Sequence, residues 1–154
     1  MFREMRSKDR ELDRSASEEI LKTGKYGVLN VLGDDGYPYG MPINYIVIDD
    51  SVYFHTTSEP GHLNESLARN NKVSLTVLQM ENDIKGKSAI LFGTAEHRPD
   101  MKAKVLEKFV EDYVPEFAWE QAKSGIPHAI DSIDLNGISI DHISSKWVDK
   151  PEGK

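Results

Sequence analysis

From Tyr26 onward, apolar positions alternate with polar ones in short runs, each closed by a turn-forming cluster. Tyr26 to Leu32 is rich in Val, Leu and Tyr and predicts a strand, and Asp34-Asp35-Gly36 predicts the turn after it. Tyr39 to Ile48 predicts a second strand. Pro38 and Pro42 donate nothing to a ladder, so this strand needs an edge, a strand start or a bulge. Asp49-Asp50-Ser51 turns the chain into a third strand, Val52 to Thr56. Val73, Leu75 and Val77 alternate with Ser74, Thr76 and Leu78 in a fourth, Lys72 to Met80. After a Gly86-containing loop, Ser88 to His97 predicts a fifth, in which Gly93 marks a bulge or a close backbone approach. Ile138, Ile140 and His142 alternate with Ser139 and Asp141 and predict a sixth; Asn136-Gly137 is its start or a hairpin turn.

Helical periods separate these runs. Ser15-Ala16-Ser17-Glu18 fits a capping box for a short helix to Thr23, with Gly24 as a C′ residue. Leu63 and Leu67 stand at i and i+4 in a helix from His62 to Asn70. Met101, Val105, Phe109 and Val110 predict a helix from Pro99 to about Tyr113. Another, with Phe117 and Trp119, runs from Pro115 until Gly125, and Ser124 to Pro127 is expected as a loop. A meander of hairpins with inserted helices hides its edges by closing on itself. The pattern therefore predicts a mainly β, six-stranded antiparallel barrel with short helices outside, as one domain over residues 1–154. Residues 1–14 form a charged, solvated arm and 150–154 a tail.

Composition narrows the function. The formal charge of −7 argues against nucleic acid and anionic membrane surfaces, both of which need a basic face. The absence of cysteine excludes disulfides, Cys-ligated zinc and thiol catalysis. The first residues lack an apolar signal core, and no run approaches the ~20 apolar residues of a membrane span. The expectation is a cytoplasmic protein without membrane or nucleic-acid partners.

Chemistry concentrates between Gly36 and Lys72. Thr56, Thr57 and Ser58 precede the helix at His62, whose first amides lack partners and whose dipole is positive at that end. Hydroxyls, free amides and an imidazole together can hold an anion; an ordinary capped helix behind a polar loop has the same pattern. His55 and His62 lack the further ligands that a metal needs. No nucleophile elbow or P-loop is present, so any chemistry belongs to a bound cofactor.

The segments Gly27–Asn30, Asp35–Tyr45, Tyr53–Thr56, Gly61-His62, Asn71–Ser74 and Phe92-Gly93, in that order, resemble the FMN-binding split-barrel superfamily. Within it, the similarity is greatest to the pyridoxamine 5′-phosphate oxidase-related, Nim nitroimidazole-resistance-like group. The resemblance implies a six-stranded antiparallel split β-barrel and a homodimer with FMN at the subunit interface. It implies that Pro42, Ile43, Asn44 and Tyr45 flank the flavin ring, and that His55, Thr56 and Thr57 approach the ribityl chain and phosphate. His62 and Leu63 fall where the family reaches the phosphate. Relatives commonly carry lysine at the second of these positions, and here Leu63 pairs instead with Leu67. Gln79 and Ser88 would contact the ring or the partner's flavin, and Trp147 would border the site. The expected function is FMN-dependent reduction of a small molecule, a nitroaromatic or one open to pyridoxamine-phosphate-oxidase-like chemistry. Alternatives on the same barrel are haem binding through His55 or His62, a deazaflavin in place of FMN, and a flavin-sequestering or sensing module.

Overall fold

The computed structural model describes residues 1–59 and 61–149, so the 150–154 tail lies outside the described residues. The elements are α1 (Arg14–Thr23), β1 (Tyr26–Leu32), β2 (Pro38–Asn44), β3 (Ile46–Ile48), β4 (Ser51–Thr57), α2 (His62–Arg69), β5 (Lys72–Met80), β6 (Gly86–His97), α3 (Lys102–Tyr113), α4 (Trp119–Ser124), α5 (Ile126–Ala129) and β7 (Ile133–Trp147). All strand pairs are antiparallel, and the sheet has seven strands in the order β2-β1-β5-β6-β7-β4-β3. The mainly β, antiparallel class is as expected from sequence.

The seventh strand arises because Tyr39–Ile48 is not one strand. The chain leaves β1's edge after Asn44, turns its Tyr45 side chain inward, and pairs Ile46–Ile48 with β4. The two edge strands of the sheet are thus separated in sequence by Tyr45 alone. A sheet whose edges are chain neighbours must roll until they meet, and the covalent chain closes it without edge-to-edge pairing. Leu29, Val52, Phe54, Leu75, Val77, Leu91 and Ile138 fill the interior. A second cluster, Ile46, Ile48, Tyr53, Val105 and Leu135, seats α3 on the β3–β4–β7 side. Among the described residues, no helix is long and apolar enough to cross a membrane.

Several local expectations are corrected. Asp13, not a serine, caps α1, its Oδ1 accepting from the Ala16 amide at 2.8 Å. Ser17 is drawn inside instead, its hydroxyl 2.6 Å from that of Ser145. Gly24 ends α1 with ordinary extended backbone (φ −70°), so it is required for space and not for a left-handed turn: a Cβ there would collide with the Tyr45 hydroxyl. Ser124–Pro127 is not all loop, since Pro127 sits in the first turn of α5, where its missing N–H costs nothing. Asn136 and Gly137 are interior to β7, opposite Phe54 and Tyr53. The N-terminal arm is docked: β4 leaves β7 after Ser139, and residues 10–12 take the vacated edge, with Leu12 N donating to Ser145 O (2.9 Å) and Trp147 N to Arg10 O (3.0 Å).

The β6–β7 ladder shifts register between Phe92, opposite His142, and Gly93, opposite Ile140, leaving Asp141 as the extra residue. At this bulge Gly93 approaches Ile138 and the Ser139 carbonyl so closely that a Cβ has no room, whereas a Cβ at Gly61 meets nothing. Gly93→Ala is therefore expected to cost about 1–3 kcal/mol by overpacking, and Gly61→Ala less than ~0.5 kcal/mol. Urea denaturation of both variants checks this.

Candidate functional site

The site is assembled where the end of β4 meets α2. Gly61 is the N-cap, extended (φ −136°, ψ 179°) and without a side-chain capping bond, so the first amides of α2 have no side-chain acceptor. Asn64 ties this turn to the strand. Its Oδ1 accepts from the Thr56 hydroxyl at 3.1 Å, and its Nδ2 donates to the Thr57 carbonyl at 3.4 Å. The Thr56 hydroxyl is thus engaged within the chain, while the exposed Thr57 hydroxyl has no partner among the described residues. Positive dipole, free amides and the Thr57 and Ser58 hydroxyls give this loop the chemistry of an anion site.

His62 turns toward the β1–β2 turn. Its Nδ1 is 3.4 Å from Asp34 Oδ1, and its ring meets Tyr39 edge-on at 4.4 Å between centroids. Arg69 Nη1 holds the other Asp34 oxygen at 3.1 Å. Asp34 therefore sets the orientation of both side chains, a role its place in an ordinary turn signal does not advertise. Leu63, the next residue of the helix, is 4 % exposed within the main core, with Leu67 packed beside it. Leu63 is thus an interior apolar residue, which favours its i, i+4 pairing with Leu67 over a phosphate contact.

From Tyr39, β2 runs to Asn44 over about 17 Å, at ~3.3 Å per residue. As an edge strand it leaves one row of backbone groups unpaired. Pro42 is exposed, and Ile43 and Asn44 are half-buried. Tyr45, 2 % exposed, is held three ways. Its hydroxyl donates to Leu21 O (2.7 Å), its amide to Lys25 O (3.4 Å), and its carbonyl accepts from the Tyr113 hydroxyl (2.7 Å). The Tyr113 hydroxyl also touches the Lys25 carbonyl, so one phenol serves two acceptors. The Phe109 and Tyr113 rings stack at 4.7 Å, and Phe109 meets His55 edge-on at 5.8 Å. This ladder of rings links the corner to His55, whose pKa is lowered by partial burial. Tyr113 and Lys25 carry no local sequence signal for this role, because their partners are distant in the chain.

The remaining predicted residues lie apart from these, on neighbouring rungs whose side chains face opposite sides of the sheet. Gln79 and Trp147 flank Lys87 on one rung of β5–β6–β7, and Ser88 lies on the next, between Leu78 and Lys146. Gln79 is committed within the chain, its Nε2 donating to Thr23 Oγ1 (2.7 Å) and Ile20 O (3.3 Å). The Lys87 ammonium lies 4.6 Å from the Trp147 ring centroid. The outer face, which Ser88 shares with Val28, Asn30, Ser74, Thr76, Ile90 and Phe92 on adjoining strands, has no charged residue at its centre among the described residues. In a chain with 29 % charged residues, that neutrality marks the face as unlike the rest of the surface.

Residues 13–147 match the family model described as pyridoxamine 5′-phosphate oxidase. No curated protein matches the sequence. Among solved structures, a flavocytochrome from Azotobacter vinelandii is 23 % identical, with 96 % of this chain and 73 % of that chain covered and a TM-score of 0.77. An FAD-binding protein from Mesorhizobium loti is 22 % identical, with coverage of 90 % and 96 % and a TM-score of 0.65. A protein from Bacteroides thetaiotaomicron, proposed to confer 5-nitroimidazole antibiotic resistance, is 21 % identical, with coverage of 89 % and 86 % and a TM-score of 0.73. At these identities the likeness is one of fold.

Burial pushes the Tyr113 phenol up to about 12, against the lowering effect of its bond to the Tyr45 backbone, and burial pushes the Tyr45 phenol up as well. A phenol whose pKa is raised on folding stabilises the fold fully below its unfolded value of ~10 and loses that contribution as pH rises through the folded value. Stability should therefore begin to fall near pH 10 and continue falling to about 12. Tyr113→Phe should cost about 1–2 kcal/mol at neutral pH and make the alkaline fall shallower, both measured by urea denaturation across the range.

Proposed function

The chain belongs to the pyridoxamine 5′-phosphate oxidase family, and from that membership we propose that it is a flavoprotein holding FMN and reducing a small molecule. The observation that carries this reading is the uncapped first turn of α2 behind the free Thr57 hydroxyl, beside an edge strand with unpaired backbone groups. The residues fit the cofactor. Thr57, Ser58 and the amides at the start of α2 would hold the phosphate, with His62 adding a donor where Asp34 permits. The unpaired edge of β2 from Pro42 to Asn44 would meet the polar rim of the ring, and the neutral His55 imidazole would stand nearby as a proton donor or acceptor. The bound flavin would supply the hydride and electron chemistry. The flavin-binding descriptions of the Azotobacter and Mesorhizobium proteins support the cofactor class, and the Bacteroides protein supports a nitroaromatic among the acceptors.

We further propose a homodimer with the flavin between its subunits. The neutral outer face can meet a copy of itself without like charges opposing, which a chain of net charge −7 otherwise invites. A second copy meeting that face would also bring Ser88 toward the α2 loop, from which one chain keeps it apart. A second cofactor reading, haem, rests on His55. Its lowered pKa keeps the imidazole neutral and able to ligate iron, and the Azotobacter relative is a flavocytochrome.

Purified protein is expected to show two broad visible flavin bands, with FMN released on denaturation and identified by mass spectrometry. FAD in its place would correct the cofactor, a Soret band alone would favour haem, and a colourless protein that does not take up FMN would sink the proposal. Thr57→Ala should weaken FMN about three- to tenfold, read by fluorescence titration, with unchanged affinity placing the phosphate elsewhere. Light scattering should return twice the 17.4 kDa chain mass at micromolar concentration; a monomer there would refute the dimer.

A further inference from the structure

A small cavity of 200 Å³ lies on the outer side of β6 and β7, beneath the first residues of the arm. Ser88 opposite Lys146 and Ile90 opposite Ser144 supply its floor from two alternate rungs of the ladder, and Arg3 and Met5 cover it from the arm. Ser145 also borders it, but its side chain is buried and engaged with Ser17. The arm is positioned to deliver Arg3: the neighbouring Phe2 ring stacks on His142 at 4.7 Å and leans on Phe92 at 5.4 Å.

The charges at this cavity are unbalanced. Arg3 and Lys146 make no ion pair among the described residues, whereas Arg14, Arg69, Arg98, Lys108 and Lys123 all do. Among the described residues, no Asp or Glu lines the cavity. In a chain of net charge −7, two unpaired cations converge on one small space floored by serines. The Ser88 and Ser144 hydroxyls have no hydrogen-bond partner among the described residues, so both are free to turn to a ligand.

We propose that this cavity is a second anion site, distinct from the α2 loop, which takes the phosphate group of a small phosphate monoester. Two cations balance a dianion, whereas a carboxylate would leave one of them uncompensated. Arg3 can offer its planar fork to two oxygens, and Lys146 a point charge to a third. The volume decides how much of the ligand is held. It falls below the roughly 300–1,000 Å³ that encloses a whole small molecule, so the cavity seats a head group. The rest of the ligand then lies outward against Met5 and Ile90. The cavity shares Ser88 with the flavin region of the proposed dimer, whereas Arg3, Ser144 and Lys146 belong to neither the β2 edge nor the α2 loop, so variants at Arg3 and Lys146 separate the two sites.

The test is a titration of the full chain with inorganic phosphate, followed by amide NMR shifts, with acetate run in parallel. Saturable shifts are expected at Ser88, Ser144 and Lys146, with acetate moving them at least tenfold more weakly. Arg3→Gln and Lys146→Gln should each weaken phosphate about tenfold while the Tm stays unchanged. Lys104→Gln, an exposed lysine on α3, should leave the affinity as it is. Phosphate shifts confined to Thr57 and the start of α2, equal binding of acetate, no loss in the Arg3 and Lys146 variants, or the same loss in Lys104→Gln would each overturn the proposal. The flavin assignment is read separately, by colour and FMN titration of the wild type. Either result can therefore fail without the other.

Discussion

Everything in this fold depends on the closure at Tyr45. The sheet has no hydrogen bonds between its first and last strands, so nothing along its edges prevents it from unrolling. What holds it rolled is one residue's worth of chain and the bonds around it. Tyr45 reaches α1 through its hydroxyl, the start of β1 through its amide, and α3 through its carbonyl. Each bond alone is worth about 1 kcal/mol net, but together they join three layers at one point, and leaving any of them unmade indoors costs more than making it gains. Gly24 is glycine because the Tyr45 hydroxyl needs its space. The Phe109–Tyr113 stack exists on the same account, since α3 must be anchored for its phenol to reach the corner.

The parts of the fold that were legible in sequence are those whose cause is local. Lys72–Met80 alternates because one face is inside, and Gly93 stands out because only a bulge or a close approach justifies a glycine there. Tyr45, by contrast, looks like one more aromatic in a strand; its inward turn is decided by α1 and α3, which no window around it contains. The arm misleads in the same way. Its charges predict solvation, yet its backbone finds an edge of β7 that only the departure of β4 makes available. At the end of α1, Asp13 outcompetes Ser15 and Ser17 for the cap because Ser17 is claimed by Ser145, a residue far along the chain.

For the candidate site, residue types were easier to read than allegiances. Of the hydroxyls before α2, Thr56 is spent on Asn64, while Thr57 has no partner among the described residues. Gln79 similarly serves α1. Leu63 belongs to the core because α2 turns its apolar side inward, whatever its neighbour His62 does at the surface.

The divided edge of β7 also bears on how the molecule reaches this state. Its first half pairs with β4 and its second with the arm, so contacts such as the Arg10 guanidinium on the Val148 carbonyl span 138 positions. Such a topology has a high contact order, and the loop-closure entropy must be met before most of the pairing is rewarded. During synthesis β4, β6 and the arm all exist before β7 is made, and each presents a bare flank meanwhile. Until that strand arrives, the growing chain is an open sheet in search of an edge, and its exposure to mispairing with other chains is greatest then.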